Sequence, residues 1–213
     1  MEYKGVITGD IVDSTTIPME KRAALLTCMS SILKEVQETY ALTFEFFRGD
    51  SIQVVVEEAA HALSVALLFR AGLRSRSEVA VGKTCDVRLA VGIGTIEFAA
   101  GQVAISDGEA FRLSGRELDN MGKSTLALAT PWEDVNDEFA VTLPFAADVA
   151  SGWTPKQANA LFYTLLKPWS RKEVAAALGM SPQSVSSLLM LAKERAVSKM
   201  LQRFHSLVQS KTH

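Results

Sequence analysis

Two short segments of the chain place a carboxylate where a strand-like run ends in a turn. Asp10 follows a run rich in Val and Ile, and Asp50 follows Gly49 between two short strand-like runs. If the strands that carry them are neighbours, the two carboxylates lie close together and repel each other unless a cation lies between them. Mg²⁺ prefers oxygen ligands, so the pair predicts a magnesium site.

The backbone after Asp10 adds an anion-binding feature. Residues 11–15 lead towards a predicted helix, and amide groups at a helix N-terminus bind phosphate. Ile11, Ser14 and Thr15 are therefore predicted to bind a nucleotide. Two alternatives stay open. Each aspartate is an ordinary turn residue, or Arg48 pairs with one of the carboxylates and no metal binds.

The elements that would position these residues follow a β-α-β-β-α-β order. Apolar periodicity predicts strands at 3–11, 42–47, 52–56, 87–96 and 125–129, and helices at 16–40, 58–75 and 107–120. Such an order is typical of a four-stranded antiparallel sheet with both helices on one face. The predicted fold class is α+β, of ferredoxin-like or palm type, with the first and third strands as central neighbours. That arrangement brings Asp10 and Asp50 to one edge.

Motifs within residues 5–130 resemble the catalytic domain of class III nucleotidyl cyclases. They are residues 10–15, Gly49 with Asp50, residues 91–94 and the segment 108–116, in the order of that family. The resemblance implies that Asp10 and Asp50 hold metal ions, that Arg116 stabilises the transition state, and that two chains build the site. The whole chain, with the C-terminal region described below, resembles the SatD family of bacterial proteins.

The motifs also depart from the cyclase pattern. Arg112 stands where cyclases have Asn, and Phe46 stands where many have the Lys that selects the purine. Asp107 lies closer to Gly108 than the family's base-selecting aspartate would. The metal-binding half of the pattern is present and the base-reading half is not, which favours nucleotide binding over efficient cyclisation.

Charge divides the chain into two parts. Residues 1–150 carry 13 Lys and Arg against 22 Asp and Glu, and residues 151–213 carry 9 against 2, so balances of −9 and +7 sum to the net −2. A basic C-terminal region is typical of nucleic-acid binding. A solvated lysine face is the alternative.

The basic region has the pattern of a helix-turn-helix. Ser170 with Glu173 forms a predicted capping box, Gly179 permits the turn, and Ser181 starts the next helix. Over residues 154–192 the pattern resembles the helix-turn-helix of bacterial regulators and of region 4 of sigma factors. The predicted DNA-binding residues are Arg171, Lys172, Gln183, Ser184, Ser186, Ser187, Lys193 and Arg195. A three-helix protein-interaction module is the alternative.

An apolar stripe continues from this region towards the C-terminus. It predicts either packing on the first domain or a homodimer contact that would suit two DNA half-sites. The predicted domains are residues 1–135 and 153–213, joined by a linker at 136–152.

Composition limits the classes of protein to which the chain can belong. No apolar run reaches the roughly 20 residues of a membrane span, and no secretory signal is recognisable at the N-terminus. Two cysteines and three scattered histidines predict no zinc site. We therefore expect a cytoplasmic DNA-binding protein of transcription regulation with a nucleotide- and Mg²⁺-binding domain. The alternative is a Mg²⁺-dependent nucleotidyl cyclase or nucleotidyltransferase with a regulatory tail, and whether the chain is an enzyme stays open.

Overall fold

The computed structural model describes residues 2–47, 51–97 and 107–212. The strands are β1 (Tyr3–Ile11), β2 (Leu42–Phe47), β3 (Ser51–Val56), β4 (Val87–Glu97), β5 (Asp107–Gly108) and β6 (Leu126–Ala129). The helices are α1 (Met19–Gln37), α2 (Ala62–Val81), α3 (Glu109–Asn120), α4 (Glu133–Ser151), α5 (Pro155–Leu166), α6 (Arg171–Leu178), α7 (Pro182–Leu191) and α8 (Glu194–Thr212). Single 3₁₀ turns, Ser14–Thr16 and Ala59–His61, precede α1 and α2.

The strands form a mixed sheet in the order β2-β3-β1-β4-β5, and β6 pairs in parallel with β4. β1 lies at the centre and pairs antiparallel with β3, as predicted, and with β4. The predicted four-stranded antiparallel sheet is wrong, because β5 and the parallel strand β6 extend it to six strands. The register sets Asp10 opposite Ser51 on one side and opposite Arg88 on the other. The predicted α+β class is therefore confirmed.

Successive residues of β1 face two different apolar layers, as the two-residue period of a strand requires. Ile7 belongs to the main core, which includes residues of α1 and α2. Val6 packs instead with Val55 and with Ala110 and Phe111 of α3. The first two helices thus share one face of the sheet, as predicted, and α3 lies on the other.

α3 approaches β4 very closely because β4 carries glycine at the contact. A Cβ on Gly92 would lie 2.2 Å from the carbonyl oxygen of Ala110. Beside this contact, the hydroxyl of Thr8 in β1 is 2.8 Å from that of Ser114 in α3. This packing fixes α3, with the predicted Arg116, against the strands that carry Asp10 and Arg88.

α4 takes the place of the predicted linker at 136–152. Its apolar residues Val135, Phe139 and Leu143 recur every four residues and are buried, a helical spacing that Pro144 had obscured. One continuous apolar core runs from the sheet through α1 and α2 to α8. The division into domains stays a prediction.

A buried arginine ties α2 to the end of α4. Arg70 has no exposed surface and donates from Nε and Nη2 to the two carboxylate oxygens of Asp86, at 2.8 Å each. Its Nη2 also donates to Ser151 Oγ at 2.8 Å. Nearby, the buried indole of Trp153 donates to the carbonyl oxygen of Ala192 at 3.0 Å. Polar contacts between distant segments therefore accompany the apolar core.

α6 and α7 form the predicted pair of helices across a short turn. Their axes bend by 100°, and Gly179 adopts a left-handed φ of 62° in the turn. The capping box of Ser170 and Glu173 is present, and Ser181 caps α7. Among the described residues no single helix is both long and apolar enough to cross a membrane, and this pair reaches the required length only across its bend.

The C-terminal apolar stripe does not continue the same helix. Lys193 adopts a left-handed φ of 60° and separates α7 from α8. Met200, Phe204 and Val208 of α8 are buried in the core of the chain. These residues therefore pack on the rest of the chain, which is one of the two predicted roles of the stripe. The homodimer contact stays a prediction.

Candidate functional site

Asp10 at the end of β1 is held by an arginine from β4. Arg88 Nε donates to Asp10 Oδ1 at 2.8 Å, and Arg88 Nη2 donates to Oδ2. This two-pronged pairing matches the planar guanidinium to both carboxylate oxygens. The hydrogen bonds that Arg88 donates to Asp10 raise the pKa of the Arg88 guanidinium. Both side chains are partly exposed, at 24% and 32%, so a ligand can reach them.

This pairing bears on the predicted metal site. Carboxylate oxygens suit Mg²⁺, but both oxygens of Asp10 accept hydrogen bonds from Arg88. The positive charge of Arg88 beside both oxygens therefore opposes an ion at Asp10. The sequence had indicated Arg48 as the residue that could pair with a carboxylate in place of a metal. Arg48, Gly49 and Asp50 lie outside the described residues, so the approach of Asp50 to Asp10 stays a prediction.

The loop after Asp10 has an unusual backbone conformation. Asp13 adopts a left-handed φ of 53°, which a residue other than glycine adopts only at a cost. The next residues form the 3₁₀ turn Ser14–Thr16 and not the start of α1, which begins at Met19. Ile11 is buried, whereas Thr15 is exposed. Of the predicted phosphate-binding residues, Ile11 thus ends β1 and Ser14 and Thr15 lie within a single 3₁₀ turn, which corrects the expected entry into a long helix.

Basic side chains border this edge of the sheet. Lys83 Nζ donates to Thr16 Oγ1 in the loop, and Arg88 Nη1 donates to the carbonyl oxygen of Gly122 at 3.4 Å. On α3, Arg112 pairs with Asp107 at 3.1 Å. Arg116 is exposed and has no ion-pair partner among the described residues. Of the two arginines on α3, Arg116 is therefore the one available to an anion.

The predicted DNA-binding residues lie on α6, on α7 and around the start of α8, and four of them share one hollow. Gln183, Ser184 and Ser187 are exposed on α7. Arg171, Ser186, Lys193 and Arg195 line one hollow of about 490 Å³. Lys172 is exposed on α6. The structure therefore brings three of the four basic residues of the predicted set, all except Lys172, into one place.

The hollow is not purely basic. Arg171 Nη2 donates to Glu194 Oε2 at 2.9 Å, and the Ser186 hydroxyl donates to the Pro182 carbonyl oxygen at 2.9 Å. Met190 and Leu191 of α7 are exposed to 69% and 56%. Part of the surface is thus already neutralised or apolar, which keeps the predicted alternative, a protein-interaction module, open.

A cluster of titratable residues forms that the sequence analysis did not find. Glu58 and His61 meet His205 of α8, and one ligand-type atom of each lies within 4.8 Å of the others. Burial lowers the pKa of His61, and the neighbouring Glu58 opposes that shift. His61 and His205 are far apart in sequence and no motif joins them, so only the fold reveals the cluster.

Comparisons with known proteins complete the description. No protein-family profile and no curated protein sequence matches this chain. Solved structures with a similar chain path include a bacterial light-regulated adenylyl cyclase, at 16% identity over 60% of this chain and 75% of that one, with a TM-score of 0.43. Another is the guanylate cyclase domain of RhGC from Catenaria anguillulae in complex with GTP, at 17% identity over 56% and 73%, with a TM-score of 0.43.

A third is the dimeric guanylyl cyclase domain of RhoGC from Blastocladiella emersonii, at 15% identity over 56% and 75%, with a TM-score of 0.44. At these identities and scores, neither an activity nor a site residue passes from those proteins to this chain. The resemblances to the SatD family and to DNA-reading helix-turn-helix proteins stay predictions.

Proposed function

We propose that this chain binds a magnesium–nucleotide complex at the end of β1, with Asp10 and Arg88 as the centre of the site. The observation that carries the proposal is the two-pronged ion pair between these residues at a partly exposed strand end. The pair holds one negative and one positive group side by side. A magnesium–nucleotide complex offers the opposite arrangement, a cation beside phosphate anions.

Charge balance explains why the complete complex is required. A free divalent cation at Asp10 would leave Arg88 beside a like charge, and a free polyphosphate at Arg88 would face the Asp10 carboxylate. With both present, Asp10 holds the cation and Arg88 turns to the phosphates. Thr15 of the loop keeps its predicted role in nucleotide binding, and Arg116 of α3 keeps its predicted role in stabilising the transition state. Asp50 is the proposed second carboxylate.

Binding experiments test this charge requirement directly. We expect Mg²⁺ with ATP or GTP to raise the melting temperature, and Mg²⁺ alone or nucleotide with EDTA to leave it unchanged. Asp10→Asn should weaken binding by about tenfold or more, because a charged ligand is lost. Asp134→Asn is the matched control, since Asp134 also pairs with a cation, Lys211, but at the surface of α4. Equal binding by Asp10→Asn and the wild type would refute the site.

Turnover of the bound nucleotide is the step that separates a binding protein from a nucleotidyl cyclase or nucleotidyltransferase. In an enzyme, Arg116 would stabilise the charge that develops on the transferred phosphate. Pyrophosphate release from ATP or GTP measures this step. Release that disappears in Asp10→Asn and Arg116→Ala would make the chain an enzyme, and its absence despite binding would leave nucleotide binding as the function.

The helix-turn-helix geometry favours a second function, binding of double-stranded DNA. The 100° bend lies in the range of helix-turn-helix units, and α7 exposes Gln183 and Ser187 as a recognition helix would. Three cations of the hollow beside it are proposed to contact phosphates. No residue of this surface belongs to the Asp10 site, so the two functions are separable.

Salt-dependent binding to duplex DNA tests this second function. Fluorescence anisotropy should show affinity that falls as salt rises, and Lys172→Ala or Arg195→Ala should each reduce the slope by about one. Lys34→Ala on α1 is the control, because that lysine is exposed on the acidic part of the chain. Affinity that these variants leave unchanged would favour the protein-interaction alternative.

A further inference from the structure

Two histidines and a glutamate from separate parts of the chain meet beside α8. Glu58 precedes the 3₁₀ turn Ala59–His61, which joins β3 to α2, and His61 ends that turn, whereas His205 lies in the middle of α8. Glu58 Oε2 is 3.2 Å from His61 Nε2. The rings of His61 and His205 have centroids 4.8 Å apart with planes inclined by 34°.

The surroundings of this trio favour a cation. The cavity beside His205, of about 330 Å³, is lined by hydroxyl, amide and apolar groups, including Ser64, Ser198 and Gln202. A second cavity, of about 680 Å³, reaches Glu58 and His61 from the other side. Neither cavity has a lysine or arginine among its lining residues. An incoming cation therefore meets no positive side chain in either lining.

We propose that Glu58, His61 and His205 bind one divalent transition-metal ion of the zinc class. Two imidazoles and a carboxylate are a ligand set that zinc uses when it keeps one position for water or another ligand. Mg²⁺ is disfavoured because it prefers oxygen ligands in near-ideal octahedral geometry. This site shares no residue with the Asp10 edge and does not depend on the proposed nucleotide binding.

The present geometry needs only a small adjustment to hold the ion. Ligand atoms about 2.1 Å from a tetrahedral metal lie about 3.4 Å from one another, and the three groups are already within 4.8 Å. Glu58 is exposed and both histidines are partly buried, so side-chain rotation can close the remaining distance. Tyr40, whose ring centroid is 5.0 Å from that of His61, packs against one ligand and limits its motion.

Binding of the ion would have a structural consequence. Glu58 and His61 belong to the connection between sheet and α2, whereas His205 belongs to the last helix. A shared metal would therefore cross-link α8 to the sheet-bearing part of the chain and stabilise that contact. Because metal binding to the folded state stabilises it, the melting temperature reports the cross-link.

Zinc titration of the full chain, in competition with a chromogenic chelator, tests the site. We expect one equivalent of Zn²⁺ to bind, and Glu58→Gln, His61→Gln and His205→Gln each to weaken binding by about tenfold or more. Zn²⁺ should raise the melting temperature of the wild type and not that of His205→Gln. Melting in EDTA shows that each variant is folded before titration.

Two control variants separate this site from other ligands. Glu57→Gln removes the adjacent carboxylate, which pairs with Lys4, and His213→Gln removes the third histidine of the sequence. Both should bind Zn²⁺ as the wild type does. The absence of stoichiometric Zn²⁺ binding, or an equal loss in His213→Gln and His205→Gln, would overturn the proposal.

Discussion

The Asp10 edge of the sheet and the α6–α7 unit are built from contacts of very different range. The decisive partner of Asp10 is Arg88, 78 residues away in sequence. In the α6–α7 unit, the capping box joins residues three apart and one left-handed glycine makes the turn. The first site exists only when the sheet is assembled, whereas the second is specified locally. Substitutions should therefore affect the two regions unequally.

The largest expected effect is on the long-range contacts. Arg70→Ala would leave the Asp86 carboxylate with Arg74 as its remaining arginine partner in a mostly buried position. Breaking a buried ion pair from one side costs about 3–5 kcal/mol of unfolding free energy. Urea denaturation measures the loss. The control Arg112→Ala breaks an exposed ion pair and should cost less than about 1 kcal/mol of unfolding free energy. An equally small loss for Arg70→Ala would contradict the expected contribution of the buried Arg70–Asp86 pair.

A smaller effect is expected in the local turn. Gly179→Ala forces a residue with a Cβ into a left-handed conformation, at a cost of about 1–2 kcal/mol. The control is Gly115→Ala in α3, where no atom lies within 4 Å of the new Cβ. Because alanine favours a helix, that control should raise stability by about 0.5–1 kcal/mol. Thermal denaturation compares the two, and changes of the same sign would contradict the assignment of the turn.

A double-mutant cycle sharpens the comparison at the sheet edge. Asp10→Asn and Arg88→Gln, alone and together, should give a coupling free energy of about 1 kcal/mol, because both side chains are partly exposed and solvent screens their attraction. Adding 1 M NaCl should reduce the coupling. A coupling of zero would show that the pair is not held in solution.

The smallest effect concerns the capping glutamate. The backbone N–H of Ser170 donates to the Glu173 carboxylate and, with a smaller contribution from the Ser170 side chain, lowers the pKa of Glu173. A lowered carboxyl pKa contributes stability above the pKa of the unfolded chain, and this contribution is lost as pH falls through the lower folded value. NMR titration should find the pKa of Glu173 below its ordinary value and Ser170→Ala should raise it. A Glu173 pKa at its ordinary value in the wild type would contradict the capping box.

The sequence predicts the features that depend on short-range contacts better than those that depend on long-range ones. A run rich in Val and Ile predicts β1 as a buried strand, and the element order predicts its central place in the sheet. Gly179 and the Ser170–Glu173 spacing predict the turn and cap from short-range chemistry alone. Each of these features depends on residues that are close in the chain.

Features that depend on residues far apart in the chain cannot be predicted from local sequence patterns. Nothing near Asp10 indicates that Arg88 will bind both of its oxygens, since the strands must pair before the two meet. His61 and His205 likewise appear scattered until α8 packs beside the 3₁₀ turn that carries His61. The helix α4 was missed for a different reason. Pro144 interrupts its sequence pattern, whereas the burial of Val135 and Phe139 stabilises the helix.

The position of Trp153 allows its fluorescence to report whether the C-terminal helices are packed against the core. Its indole is buried and bonded to the peptide just before the break between α7 and α8. Trp132 and Trp169 are both more exposed. In a chain with phenylalanine at those two positions, fluorescence would come from Trp153 alone. A red shift of its emission would signal that the terminal helices have left the core before the sheet unfolds.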